Sequence, residues 1–259
     1  MNSRLICFVL TLVFIKSALA QVDAYVDMTS NLNGNVRSIQ IDNFEAKRNE
    51  TKPIKAIHLE TFIYKYTAEG KEERIDYIAG ANNLIYHTEY RRDAYGNTIL
   101  NTMLDSKNNV LGKSLYNYNS GNQVIEEYMF SEYNELEGVI YFYYDNKGNF
   151  IKKIYVDGDR NTLEIHELSY DSSFRLVNIQ VKNQDGKKKE DISFEYNNSK
   201  DPITINIFDY TQSDIRLKTY TYDYEYDSRM NWTKKQQYRL EKEKLVPYYI
   251  TERKIEYFN

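Results

Sequence analysis

The sequence predicts an all-β protein: an antiparallel meander of about seven to eight 26-residue β-hairpin repeats, twisted into an open sheet, a partial barrel or a spiral. Three observations carry this. Tyrosine dominates the large residues, with 26 copies beside 11 Phe and 1 Trp, and such rings suit a pleated, half-buried surface. Asn, Asp and Gly cluster at intervals, as tight turns require. The phrase Tyr-x-Tyr-Asp-x-x-Gly-Asn recurs in degraded form at a fixed spacing, and self-similarity at a period of roughly 20–50 residues marks a repeat array.

Anchored on their second aromatic position, the copies fall at Tyr66, Arg92, Tyr118, Tyr144, Tyr170 and Tyr196, every step being 26 residues. The next anchor, Tyr226, follows a step of 30, so four residues are inserted there, and we place them within Thr219 to Tyr224. Two positions before each anchor stand Tyr64, Tyr90, Tyr116, Phe142, Leu168, Phe194 and Tyr224. Side chains two apart on a strand share a face, so these positions predict two columns on one side of a sheet. Between them lie Lys65, Arg91, Asn117, Ser169 and Glu195, with Tyr143 the one ring among them. That phase is expected on the wet face. Arg92 is the one foreign anchor.

Each early anchor runs into a turn, as in Ala94-Tyr95-Gly96-Asn97 and Asn146-Lys147-Gly148-Asn149. Glycine accepts positive φ without a Cβ clash, and Asn tolerates it better than most residues. Phe174, Lys200 and Met230 replace that glycine in later copies, so those turns must be strained or of another type. Eleven residues past the anchors come Tyr77, Met103, Met129, Tyr155, Val181 and Ile207, the buried face of a return strand. Second turns near Gly80–Asn83, Ser106–Asn109, Asp157–Asn161, Gln184–Gly186 and Gln212–Asp214 complete one hairpin per unit. Residues 62–225 thus form the repeats. Residues 21–61, with an entering strand at Asn31–Ile41 and a polar loop at Glu45–Lys55, and residues 226–259, with Trp232 and Pro247, read as caps over open edges.

Residues 1–20 read as a signal peptide: Arg4, an apolar run from Leu5 to Ile15, then Ser17-Ala18-Leu19-Ala20 before Gln21. The run is too short to cross a bilayer, which takes roughly 20 residues, and no second run of membrane length follows. An exported protein in the periplasm, at the cell surface or outside the cell is expected. Cys7 is the chain's one cysteine and lies inside the signal, so the mature chain has no disulfide to rely on. Removal of Arg4 and Lys16 leaves 32 basic against 38 acidic residues, a charge of −6 in place of −4. An acidic chain lacks the basic patch that nucleic acid needs. Closure as an outer-membrane barrel is disfavoured, because the wet face carries Glu126, Lys152 and Glu195.

The stretches Tyr144-Asp145-Asn146-Lys147-Gly148-Asn149 and Tyr226-Asp227-Ser228-Arg229-Met230-Asn231-Trp232 resemble the YD or RHS repeat of bacterial surface and secreted proteins. The ending Thr251-Glu252-Arg253-Lys254-Ile255-Glu256-Tyr257-Phe258 is similar to the terminal unit of short YD-like proteins exported by Bacteroidota. The resemblance covers about residues 62–258. In large members the repeats wind into a β shell that can enclose a toxin, for which this chain has too few units. A tendency toward carbohydrate binding is what the resemblance implies for function.

No catalytic, cofactor or metal constellation emerges. His58, His87 and His166 fall at different phases of the repeat, so they do not converge as metal ligands must. Asp157-Gly158-Asp159-Arg160-Asn161 begins like a calcium loop but has Thr162 and Leu168 where a glycine and a glutamate are needed. Gly112-Lys113-Ser114 lacks the rest of a phosphate loop. The acid pairs Glu126–Glu127, Glu164–Glu167 and Glu241–Glu243 are what 38 acids produce by chance. The expectation is a non-catalytic repeat protein that binds a glycan or a protein surface. Tyr95, Tyr133, Tyr143, Tyr248 and Tyr249, off the column phases, are the candidate exposed contacts. A carbohydrate-active hydrolase using a carboxylate pair and a purely structural scaffold are the alternatives.

Overall fold

A computed structural model describes residues 32–48, 52–79, 83–197, 200–211 and 214–258. The expected signal peptide, residues 1–20, and most of the turns at 80–83 and 212–214 lie outside them. The strands in chain order are β1 (Val36–Arg48), β2 (Pro53–Tyr66), β3 (Glu72–Ala79), β4 (Asn83–Arg92), β5 (Thr98–Asp105), β6 (Val110–Tyr118), β7 (Val124–Ser131) and β8 (Leu136–Tyr144). The second half runs β9 (Phe150–Asp157), β10 (Thr162–Tyr170), β11 (Leu176–Asn183), β12 (Lys188–Tyr196), β13 (Pro202–Asp209), β14 (Arg216–Tyr226), β15 (Trp232–Glu241) and β16 (Lys244–Tyr257). Each pairs antiparallel with the next, and β1 pairs with β16. The result is a closed barrel. This corrects the expected open sheet, partial barrel or spiral.

The correction has a physical origin. An unpaired edge strand leaves a row of unmet N–H and C=O groups. The two end segments do not cover separate edges; they satisfy one another, from Ile39 opposite Ile255 to Glu45 opposite Tyr249. The stretch read as a polar loop is mostly the far ends of β1 and β2, with Lys47 opposite Ile54. A clasp secures the seam. Asn231, buried, accepts from Asn33 N at 2.6 Å and donates to Asn33 O at 2.8 Å and to the Tyr257 hydroxyl at 2.7 Å.

The turns follow one plan. Asp145 N donates to Asn149 O and Gly148 N to Asp145 O, with Gly148 at φ 85°. This is a type I turn closed by a left-handed residue, as three-residue hairpin loops favour. Phe174 and Met230 keep the same bonds at φ 61° and 62°. These two turns are therefore strained copies of the same turn type, while the Lys200 turn lies partly outside the described residues. Two of the four extra residues lengthen the β13–β14 hairpin at its tip, and the other two lengthen β14 toward Tyr226. Ile207 faces Lys218, eleven positions on, where Val181 faces Glu190, nine positions on. Two of the four thus precede Thr219.

The two columns and the return-strand residues lie on one face. That face points inward: a curled sheet crowds the side chains on its concave side, and Ile39, Ile41, Ile179, Ile192 and Ile207 there are wholly buried. The intervening residues Lys65, Arg91, Asn117, Tyr143, Ser169, Glu195 and Glu225 are all exposed. The outer face bears ion pairs such as Lys65–Asp76–Arg74 and Lys152–Glu167–Lys182.

The anchor rings are staples. The hydroxyls of Tyr118, Tyr144, Tyr170 and Tyr196 donate to the carbonyls of Thr98, Val124, Phe150 and Leu176 at 2.7–2.8 Å. Each acceptor opens a return strand and is the Cα partner of the preceding anchor. Arg92, the foreign anchor, reaches the carbonyl of Glu72 with its guanidinium in the same way.

Candidate functional site

The interior is not uniform. The inward position nine past each anchor reads Ile75, Asn101, Glu127, Lys153, Ile179 and Ile205. It is apolar at both ends and polar in the three middle units. Around β11–β14 the wall is a dry cluster of Ile179, Val181, Ile192, Phe194, Ile205, Ile207, Tyr220 and Tyr222. From β4 to β10 it alternates rings with polar groups.

On that polar wall the Tyr116 hydroxyl donates to Glu127 Oε1 at 3.1 Å. Burial pushes the Glu127 carboxyl above its ordinary range, against hydrogen bonds from Ser114 and Tyr116 and the pull of Lys153. Burial pushes Lys153 down to about 8, opposed by Glu127 and Glu164, and its ammonium sits 4.8 Å from the Tyr155 ring centre. Burial alone would raise Glu164, but hydrogen bonds from His166 and Lys189 outweigh it and hold the carboxyl low. His166 Nε2 is 3.0 Å from Glu164 Oε2, and burial lowers the pKa of this imidazole. On β2–β4 the rings of Phe62, Tyr77 and Tyr86 follow one another at 5.0 and 4.9 Å, and the Tyr90 hydroxyl donates to Glu72 at 3.2 Å.

Such a wall presents hydroxyls, a carboxyl whose pKa burial raises, an ammonium and ring faces together. It can hydrogen-bond and stack. Glu127 and Glu164 are pushed in opposite directions by their surroundings, the pattern an acid–base pair requires. They are three strands apart, however, about 14 Å along the wall at strand spacing, against roughly 5–10 Å for glycosidase carboxyls. Of the pairs seen in sequence, Glu126 and Glu127 point to opposite faces, as do Glu164 and Glu167, while Glu241 and Glu243 sit at the exposed β15–β16 turn.

Tyr95 and Tyr133 stand out at turns, 83% and 68% exposed, and Tyr143 on the outer face. Tyr248 and Tyr249 are instead half-buried, their rings 4.1 Å apart and Tyr248 5.9 Å from Tyr220. The five do not meet in one place. His166 lies on the inner wall, whereas His58 contacts Thr61 and His87 lies near Glu89 on the other face. In the Asp157 turn the carboxylate accepts from Asn161 N at 2.8 Å. Lys113 points outward, over the Phe130 ring. Residue-by-residue motif reading set Glu127 down as half of a chance acid pair and gave Lys153 and Lys189 no place in a site. The signal was the run Asn101–Glu127–Lys153, one 26-residue step apart, interrupting an otherwise apolar column.

No family model matches the sequence, and no curated protein does. Among solved structures the fold is similar to a porin-like protein from Bacteroides uniformis, at 14% identity and TM-score 0.58, over 87% of this chain and 99% of that one. Weaker likenesses are to a Photorhabdus luminescens Tc holotoxin pore, at 16% identity and TM-score 0.37 over 75% of this chain and 12% of that one, and to TcdB2–TccC3, at 14% identity and TM-score 0.25 over 81% and 15%. This chain spans only a small part of either toxin chain. The likeness to the porin-like protein is one of fold: a closed antiparallel β-barrel.

Proposed function

We propose that this is an exported, non-catalytic repeat protein of the cell envelope or extracellular space, of YD/RHS-like kind, whose barrel interior binds a glycan. The observation that carries the reading is the inner wall of the middle units, where Asn101, Glu127 and Lys153 replace isoleucine between the rings of Tyr90, Tyr116 and Tyr155. Sugars are held by ring faces with hydrogen-bonding groups between them. Sixteen strands at about 4.8 Å spacing have a girth of about 77 Å, or about 25 Å across if round, more than inward side chains fill. The ion pairs on the outer face favour a barrel standing in water, since lipid demands an apolar outer band. The signal at residues 1–20 supports export.

A glycan array followed by calorimetry on the folded mature chain (residues 21–259) tests this. Binding that weakens in Glu127→Gln and Lys153→Met is the expected result. A blank array with folded protein refutes it. A protein partner is the second reading, favoured by the exposed outer residues Phe208, Ile215, Leu217, Leu240 and Leu245 on β13–β16 and their connections. Release of reducing ends from a bound oligosaccharide would instead favour the hydrolase.

A further inference from the structure

We propose that the seam wall, where β15, β16 and β1 adjoin, is a subsite for one pyranose ring of a neutral oligosaccharide, received on Tyr248 and Tyr249 and hydrogen-bonded by Gln237. This rests on the glycan reading and gives it a place on the wall opposite Glu127, since β7 and β15 are eight strands apart in a ring of sixteen.

Gln237 is 5% exposed, and its Nε2 has no hydrogen-bond partner among the described residues. It shares the inward face with its Cα partners Tyr222 and Tyr249. A buried donor without an acceptor is destabilising, and such a group marks a place where something else supplies the acceptor. The groups around it are those a sugar uses. Tyr248 and Tyr249 are half-buried and keep ring surface open, with Tyr220 behind Tyr248. The Arg239 guanidinium lies 4.9 Å from the Tyr248 ring centre. Glu45, opposite Tyr249 across the seam, is exposed and adds a carboxylate.

The flat C–H face of a β-linked pyranose stacks on a ring, and its equatorial hydroxyls can accept from an amide while donating to a carboxylate. Arg239 already holds Glu241 at 2.7 Å, and Lys235 is turned to Tyr222 and Trp232 at 5.8 and 5.5 Å. With Glu45 present as well, the subsite favours a neutral sugar over an acidic one.

The test is calorimetry of the mature chain with cellohexaose, xylohexaose and mannohexaose, and with a chondroitin hexasaccharide as the acidic probe. We expect a neutral hexasaccharide to bind and chondroitin not to. Gln237→Leu keeps the shape and removes the unmet donor, so affinity should fall at least tenfold while Tm holds or rises. Tyr248→Ala should weaken binding similarly, and serves if Gln237→Leu fails to fold. Wild-type binding left unchanged by both substitutions overturns the subsite and leaves the glycan reading standing. Binding of chondroitin alone overturns the neutral class. A lower Tm with unchanged affinity in Gln237→Leu identifies a structural amide and overturns the proposal. No binding of any probe overturns the glycan reading together with it.

Discussion

Replacing Tyr144 by phenylalanine tests why the repeat uses tyrosine and not merely a ring. The hydroxyl donates to Val124 O at 2.8 Å, and the same bond recurs at Tyr118, Tyr170 and Tyr196. The acceptor sits where the ladder slips by one residue next to a turn, as between Asn117 and Tyr118 opposite Val124. Loss of one such bond costs about 1 kcal/mol, rising toward about 2 where the carbonyl stays partly shielded from water. For a chain of this size each kcal/mol lowers Tm by roughly 2–4 °C. Successive anchors are two strands apart, about 9.6 Å, so their effects should nearly add. Tyr118→Phe, Tyr144→Phe and Tyr170→Phe combined should therefore cost about 3–6 kcal/mol by those figures. Arg92→Tyr should be nearly neutral, because the arginine already makes the equivalent bond to Glu72 O. Urea unfolding, followed by both far-UV circular dichroism and Trp232 fluorescence, measures this and checks for a single transition. Single variants within about 0.3 kcal/mol of wild type, well under one net hydrogen bond, would show that the ring alone matters.

Four further outcomes follow from the geometry. Phe174→Gly and Met230→Gly should each stabilise by about 0.5–1 kcal/mol, since a left-handed non-glycine costs about 1–2 and glycine's entropy returns part of it; thermal unfolding reads this. Burial lowers Lys153 from 10.5 to about 8, so between those values the unfolded chain binds more protons and stability rises with pH; in Lys153→Met that rise should disappear. Glu127 is raised above 4.5, so stability falls as pH climbs from there through its folded value, and Glu127→Gln should remove the fall. Asn231→Ala breaks the clasp to Asn33 and Tyr257; a loss of about 2–3 kcal/mol is expected for stranding buried groups, with faster hydrogen exchange in β1 than in β8.

Much of the strand plan was legible in advance because period and alternation are local. A 26-residue step and a two-residue alternation put Tyr64 and Tyr66 on one face and Lys65 on the other without reference to any distant residue. The glycine-poor turns were legible too: Phe174 sits at positive φ because the neighbouring strands impose it. The exposure of Tyr95, Tyr133 and Tyr143 came from phase alone. Tyr248 and Tyr249 are half-buried because the register slips between Gln237 and Tyr238, bringing Tyr248 against Tyr220.

What the sequence by itself determined, then, is the hairpin, its inward and outward faces, and the order of units. Tertiary structure alone decided that β1 meets β16, and with that whether the tyrosine face is an open surface or an enclosed wall. Twist per strand is small, and closure is its sum over sixteen strands, a quantity no short window of residues contains. The environments of Glu127, Lys153 and Gln237 depend on that closure. Each side chain is ordinary in its own hairpin, and comes to face an enclosed interior only when the last strand returns to the first.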